Sequence, residues 1–250
     1  MDLPDSNVSY KIQEYWDERF SKEETFEWCK SYADLKHLLC ENVQKSDRIL
    51  MLGCGNSRLS EDMYNDGYRN ITNIDFSPVV IENMTRKCRG MVDMQWMVMD
   101  ITKLSFDQSS FDVVLEKASI DALLVEEADP WSPSENARMT MDCVFSQVSQ
   151  ILTTGGRFIS ITFSQPHFRK PLLAKSQYGW SISTSTFGES FHFFFYVMEK
   201  GQQLSEDDKF LEMRVESRRK HAKDCKGRNV TSQEQFTPED NEEFLCNITL

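Results

Sequence analysis

The stretch RILMLGCGNS (48–57) decides how the chain is read: a short apolar run that ends in two glycines and a polar turn. Apolar on every position, it suits a parallel strand buried on both faces rather than an alternating, half-exposed one. Gly53 and Gly55 let backbone approach a ligand closely, and the helix that follows offers free N–H groups at its start. The third glycine of a dinucleotide fingerprint is missing, because Arg58 stands in its place. A pyrophosphate site is therefore disfavoured.

Working outward, strand and helix patterns alternate. Ser57 to Asn65 reads as a helix closed by Asp66-Gly67, NITNIDFS (70–77) as a strand, and Pro78 to Lys87 as a helix opened by proline. MQWMVMD (94–100) and FDVVLEKA (111–118) follow as strands, Ala137 to Leu152 as a long helix, and RFISITFS (157–164) as a fifth strand after Gly155-Gly156. Such alternation predicts an α/β fold, a doubly wound sheet with helices on both faces. Then the pattern breaks. YGWSISTSTF (178–187) and HFFFYVMEK (192–200) are separated only by Gly188 to Phe191, too few residues for a helix. They should pair antiparallel, so the expected sheet is mostly parallel, seven-stranded and ends in an antiparallel hairpin.

Three segments are expected. Residues 1–45 form an aromatic, helical N-terminal cap, with Ser31 to Glu41 at helical spacing; 46–200 form the ligand-binding domain; 201–250 form a charged tail. Residues 201–228, with the basic cluster Arg218-Arg219-Lys220, read as a mobile tail or a solvated helix. Pro238 to Leu250 has the apolar residues for a short terminal helix.

The formal charge of the 250 residues is −12, with 28 Lys+Arg against 40 Asp+Glu, which argues against a nucleic-acid partner. Seven cysteines form no Cys-x-x-Cys pair and no Cys/His cluster, so neither a metal site nor a disulfide framework is indicated. MDLPDSNVSY has no basic or apolar signal region, and no run of 18 apolar residues occurs. A cytoplasmic protein with reduced thiols, no membrane partner and, lacking heptads, a monomeric state is expected.

Two acids sharpen the ligand. Asp75 ends the second strand, about 20 residues beyond the glycines, where a carboxylate can bind a ribose hydroxyl pair. Asp100 ends the third, where it can meet an adenine amino group. A glycine pair with these acids and no phosphate cradle suits S-adenosylmethionine. The alternative is a plain strand-turn-helix with incidental acids.

YWDERF (15–20), LGCGNS (52–57), IDFSPVVIENM (74–84), FDVVLEKASIDALL (111–124), DPWS (129–132) and GGRFISITFSQPHFR (155–169) together resemble the class I, seven-strand S-adenosylmethionine-dependent methyltransferases. Within that family they resemble the eukaryotic protein-lysine methyltransferases. The resemblance spans about residues 10–200 and includes the terminal hairpin. It implies S-adenosylmethionine as cofactor and translation elongation factor 1-alpha as the protein substrate. Carried over position by position, it implies cofactor contacts at Trp16, Phe20, Trp28, Gly53, Gly55, Asp75, Phe76, Asp100, Ile101 and Lys117. Relatives commonly have tyrosine where Phe20 stands, and that hydroxyl is lost here. Trp16, Phe20 and Trp28 serve equally well as core staples for a helix on the sheet.

The acceptor end of the site should lie just past the fourth strand, at Glu116 to Asp121. Lysine must arrive as a neutral amine, and a carboxylate can hold and orient it. Glu116 and Asp121 are the candidate catalytic residues, although Asp121 could instead cap a helix starting at Ala122. His167 and Arg169 could line the substrate mouth, His192 reads as structural, and Asp17 and Arg19 as a local ion pair. Nothing near Cys54 suggests an activated thiolate. Two further functions fit less well: a small-molecule methyltransferase, which would need larger inserts to enclose its substrate, and a non-catalytic regulatory partner, which would not need every site residue intact.

Overall fold

In the computed structural model, which describes residue 4 and residues 6–127, 133–189 and 191–227, the run Ile49–Leu52 (β1) is fully buried at all four positions. It lies parallel between Ile71–Asp75 (β2) and Phe111–Lys117 (β4). Gln95–Val98 (β3) extends the sheet beyond β2, and Leu152–Thr162 (β5) extends it beyond β4. Phe193–Lys200 (β7) then pairs antiparallel with β5, and Trp180–Phe187 (β6) pairs antiparallel with β7 at the edge. The seven-stranded order is β3-β2-β1-β4-β5-β7-β6. The expected hairpin is present, and strand order reverses between β1 and β4, where α/β sheets form their binding crevice.

Strand periodicity splits the core in two. Ile49, Met51, Val113, Leu115, Ile159 and Ile161 point to one face, and there they meet Leu35, Leu39, Met63 and Val80. Leu50, Leu52, Val114 and Phe158 point to the other, against Val144, Phe145 and Val148. The helices that cover the first face are Gln13–Lys22 (α1), Tyr32–Asn42 (α2), Leu59–Asn65 (α3) and Pro78–Lys87 (α4). After β4 come Ser119–Leu123 (α5), Glu135–Ile151 (α6) and Pro166–Leu173 (α7). Local chemistry sets several starts. Ser77 Oγ accepts from Val80 N with Pro78 at the first position, and Ser134 Oγ accepts from Ala137 N.

β5 is longer than the expected 157–164. It begins at Leu152 and runs through Gly155-Gly156, with a register shift opposite Phe111 and Val113. Gly156 is needed there because a Cβ would lie 2.9 Å from the Asp112 and Thr153 carbonyl oxygens.

The chain divides into two units, Met1–Glu212 and Met213–Leu250. The charged stretch takes the helical form, Glu206–Gly227 (α8), and the division falls inside it. Its beginning is anchored in the first unit: Leu204 and Asp208 are buried, Asp208 pairs with Lys170 at 2.9 Å, and Glu212 accepts from Ser176 N at 2.8 Å. Sparse apolar content hid this anchor, since one leucine and two carboxylates make it. DPWS (129–132) and the expected terminal helix at 238–250 lie outside the described residues.

Candidate functional site

A cavity of about 320 Å³ opens at the β1/β4 reversal. Its floor is the glycine turn. Gly53 has φ +61° and Gly55 φ +53°, a region that favours glycine. Gly53 is also packed from behind, because a Cβ would lie 2.3 Å from Ser119 Oγ. That hydroxyl donates to the Leu52 and Gly53 carbonyls.

Asp75 lines the cavity beside Phe76, at the end of β2. Gly55 N donates to its Oδ2 at 2.9 Å and Ser77 N to its Oδ1 at 3.0 Å. Each oxygen keeps a lone pair for a further donor. Burial pushes this carboxyl up to about 6, and the two backbone N–H groups oppose that. Asp100 and Ile101 follow β3 on the same wall, where Asp100 Oδ1 accepts from Thr102 N at 2.8 Å.

The opposite wall is aromatic. Trp16 and Phe20 stack with centroids 5.3 Å apart, and both line the cavity with Trp28. Phe20 is also buried in the core and Trp16 packs against it, so these two rings brace the N-terminal segment as well as line the cavity. Arg19 does not pair with Asp17. Its guanidinium lies over the Trp16, Phe26 and Trp28 rings and bonds Glu23, while Asp17 accepts from Ser77 Oγ. A helix places positions 17 and 19 on different faces, and each finds its own partner.

Lys117 reaches the cavity, but its ammonium is engaged three times: by Glu27 at 2.5 Å, the Trp28 carbonyl at 2.8 Å and the Lys30 carbonyl at 3.1 Å. Glu27, a residue the sequence reading missed, also accepts from Ser57 Oγ at 2.8 Å and Arg58 N at 2.6 Å. A carboxylate thus sits at the start of α3, where a pyrophosphate would otherwise dock. It would repel one.

The two candidate carboxylates separate. Asp121 borders the cavity, lies within α5 and is bonded to Thr162 and Arg169; it caps no helix. Glu116 does not reach the cavity. It is fully buried, with Oε1 accepting from Ser160 Oγ and Oε2 from Ile120 N at 3.2 Å. Successive strand residues face opposite ways, so Glu116 and Lys117 cannot share a face. Burial first, then Asp121, pushes Glu116 up to about 7.

Arg169 is 1% exposed and lies behind Asp121 rather than at the mouth. His167 and His192 are exposed. Burial holds the Cys54 thiol well above its ordinary range, so it stays protonated. The 3-10 turn Asn7–Lys11 contributes Asn7, Tyr10 and Lys11 to the rim, and Lys11 pairs with Glu126 across it. That exposed pair is worth at most about 1 kcal/mol, so it does not seal the rim. Among the described residues no group of three His, Cys, Asp or Glu could hold a metal, and no helix is long and apolar enough to cross a membrane.

The residues present fit S-adenosylmethionine: two acids for hydroxyl and amino donors, an aromatic wall for a flat base, and no free phosphate cradle. A family model described as a methyltransferase domain matches residues 43–216. A mouse protein, EEF1A lysine methyltransferase 4, is 43% identical over 207 residues, 82% of this chain and 81% of its own length. Its bovine counterpart is 41% identical over the same shares. Among solved structures, the N-methyltransferase NodS from Bradyrhizobium japonicum, in complex with S-adenosyl-L-homocysteine, superposes with a TM-score of 0.55 at 15% identity. That match covers 78% of this chain and 100% of NodS, and it establishes the shared fold.

Proposed function

Because the chain belongs to the methyltransferase domain family, whose model spans residues 43–216, we propose that it is a protein-lysine N-methyltransferase. It transfers methyl groups from S-adenosylmethionine to a lysine of translation elongation factor 1-alpha. The observation that carries this is the meeting, in one cavity, of the glycine turn, Asp75 and Asp121. The substrate follows from 43% identity over 82% of the chain to a protein named for that activity.

S-adenosylmethionine supplies, when bound, a methyl group made electrophilic by its sulfonium sulfur. This chain's residues do the rest. Asp75 takes the ribose hydroxyls on its free lone pairs. Phe76, Asp100 and Ile101 hold the adenine side, and Gly53 and Gly55 admit the chain of the cofactor close to backbone. Trp16, Phe20 and Trp28 exclude water from the aromatic wall. Lys117 ties the Glu27–Lys30 segment to the end of β4 and so keeps Trp28 in place. Asp121 accepts hydrogen bonds from the arriving amine and orients its lone pair, while the amine's excess proton leaves to solvent. Glu116 acts from behind, holding the first turn of α5 through Ile120 N.

The enzyme works in the cytoplasm as a monomer without nucleic acid or membrane, and its charge of −12 suits docking on a basic protein surface. The test is transfer of a labelled methyl group to purified elongation factor 1-alpha, read by mass spectrometry. Asp121→Asn should cut transfer by about 10²- to 10³-fold, in the range of proton-handling and orienting groups, with cofactor affinity little changed. Glu116→Gln should cost less, since that carboxyl does not touch the cavity. Full transfer by Asp121→Asn would reject the assignment.

A further inference from the structure

Arg169 stands on α7, 48 positions beyond Asp121, yet the two side chains form an ion pair exposed by only 1% and 7%. The same guanidinium nitrogen donates to Thr162 Oγ1 at 3.2 Å. Thr162 Oγ1 also accepts from Ser164 N at 2.9 Å and lies 2.7 Å from both oxygens of Asp121. Its single hydrogen is therefore directed at the carboxylate, because its acceptor capacity is used by Ser164 and Arg169.

We propose that Arg169 is a positioning residue for methyl transfer: with the Thr162 hydroxyl, it holds the Asp121 carboxylate against the cavity where the acceptor amine arrives. This rests on the assignment of an amine-methylating site at Asp121.

Three observations carry it. Asp121 borders the cavity and Arg169 does not, so the guanidinium acts through the carboxylate. Arg169 Nε and Nη1 are buried with no hydrogen-bond partner among the described residues. Such a group burdens the fold, and well-packed apolar residues commonly replace a buried ion pair at no loss of stability. What the guanidinium does for Asp121, rather than for packing, accounts for it. Finally, the titratable neighbours of the pair bring no second cation to it: Glu116 on β4 is a carboxyl, and Cys29 before α2 and Tyr196 on β7 are kept protonated by burial, while Lys117 points to the other face of β4. The Lys117 ammonium is already engaged by Glu27, so among the described residues Arg169 is the cation paired with Asp121. Burial, Asp121 and Glu116 together push the Cys29 thiol up to about 12, and Arg169 opposes that rise.

The full chain and its Arg169→Met, Arg169→Lys and Thr162→Val variants are compared in three measurements: methyl transfer to purified elongation factor 1-alpha, S-adenosylmethionine affinity by calorimetry, and the carboxyl ¹³C resonance of Asp121. Arg169→Met should lower kcat about 100-fold, as for a misplaced orienting group, with KM and cofactor affinity changed by no more than about threefold. Arg169→Lys should recover about a tenth or more of the wild-type rate, because it keeps charge without the planar fork. The Asp121 resonance should move in Arg169→Met and in Thr162→Val. Should Arg169→Met fail to fold, Thr162→Val carries the same kinetic expectation. An unchanged kcat, a loss of cofactor affinity matching the loss of rate, or an unmoved resonance would overturn the inference. If the wild-type chain transfers nothing to elongation factor 1-alpha, the substrate assignment falls alone. The resonance then still decides: moved, it upholds Arg169 as the group that places Asp121; unmoved, it removes it.

Discussion

Glu27 and Lys117 are 90 positions apart in the chain and 2.5 Å apart in the fold. Through this contact the N-terminal cap, the glycine turn and the end of β4 become one unit, since Glu27 also takes Ser57 Oγ and Arg58 N. Cys29 and Lys30, held just beyond it, have φ values of +56° and +104°. Non-glycine residues hold such angles only where their surroundings impose them. Here the Lys117 ammonium, bonded to the carbonyls of Trp28 and Lys30, does so.

Glu27→Ala should therefore loosen the aromatic wall. It leaves a nearly buried ammonium with one partner fewer, a loss of about 1–3 kcal/mol in folding stability. Cofactor affinity should fall by about tenfold as Trp28 loses its anchor. A cycle with Lys117→Met, measured by urea unfolding and calorimetry, should show that the two changes are far from additive.

Gly53→Ala should be severe. The new methyl would meet Ser119 Oγ at 2.3 Å and Ser119 Cβ at 2.9 Å, at φ +61°. Overpacking and the left-handed backbone together should cost about 2–4 kcal/mol. Adding Ser119→Gly should restore part of this, because it clears the clash but not the backbone strain. Urea unfolding of the three variants checks both statements.

Asp75 should make cofactor binding pH-dependent. Its folded carboxyl titrates near 6, above the ordinary value, because it is buried. A raised carboxyl binds protons in the folded chain that the unfolded chain has released, so its contribution to stability declines as pH rises from about 4 to 6. Ribose hydroxyls donate to the ionised form, so affinity for S-adenosylmethionine should drop by up to about tenfold per pH unit below 6. Asp75→Asn should bind weakly at every pH, with that dependence gone. Calorimetry between pH 5 and 8 reads both.

Deletion of residues 213–250 should leave cofactor binding and cooperative unfolding intact, since they form a separate unit. Leu204→Ala should not be tolerated as well. Leu204 is 6% exposed, and truncating a buried leucine costs about 2–5 kcal/mol. Thermal unfolding of the two proteins should separate them clearly.

The order of strands and helices, the terminal hairpin, the glycine turn and the acids at Asp75 and Asp100 were legible in the sequence alone. Each is written locally, in the period of apolar residues, a glycine at a positive φ, or a carboxylate at or just past the end of a strand. Tertiary structure decided the rest, because those outcomes depend on which distant segments meet. Glu116 and Asp121 look equivalent in the run EKASID, yet strand alternation buries the first beneath α5, while the turn into α5 carries the second to the cavity. Arg169, two residues past His167 in a helix, reads as a mouth residue until α7 packs down and closes it over Asp121. Glu27 carries no motif at all. It matters because folding brings Lys117, Ser57 and the start of α3 within hydrogen-bond reach of one carboxylate.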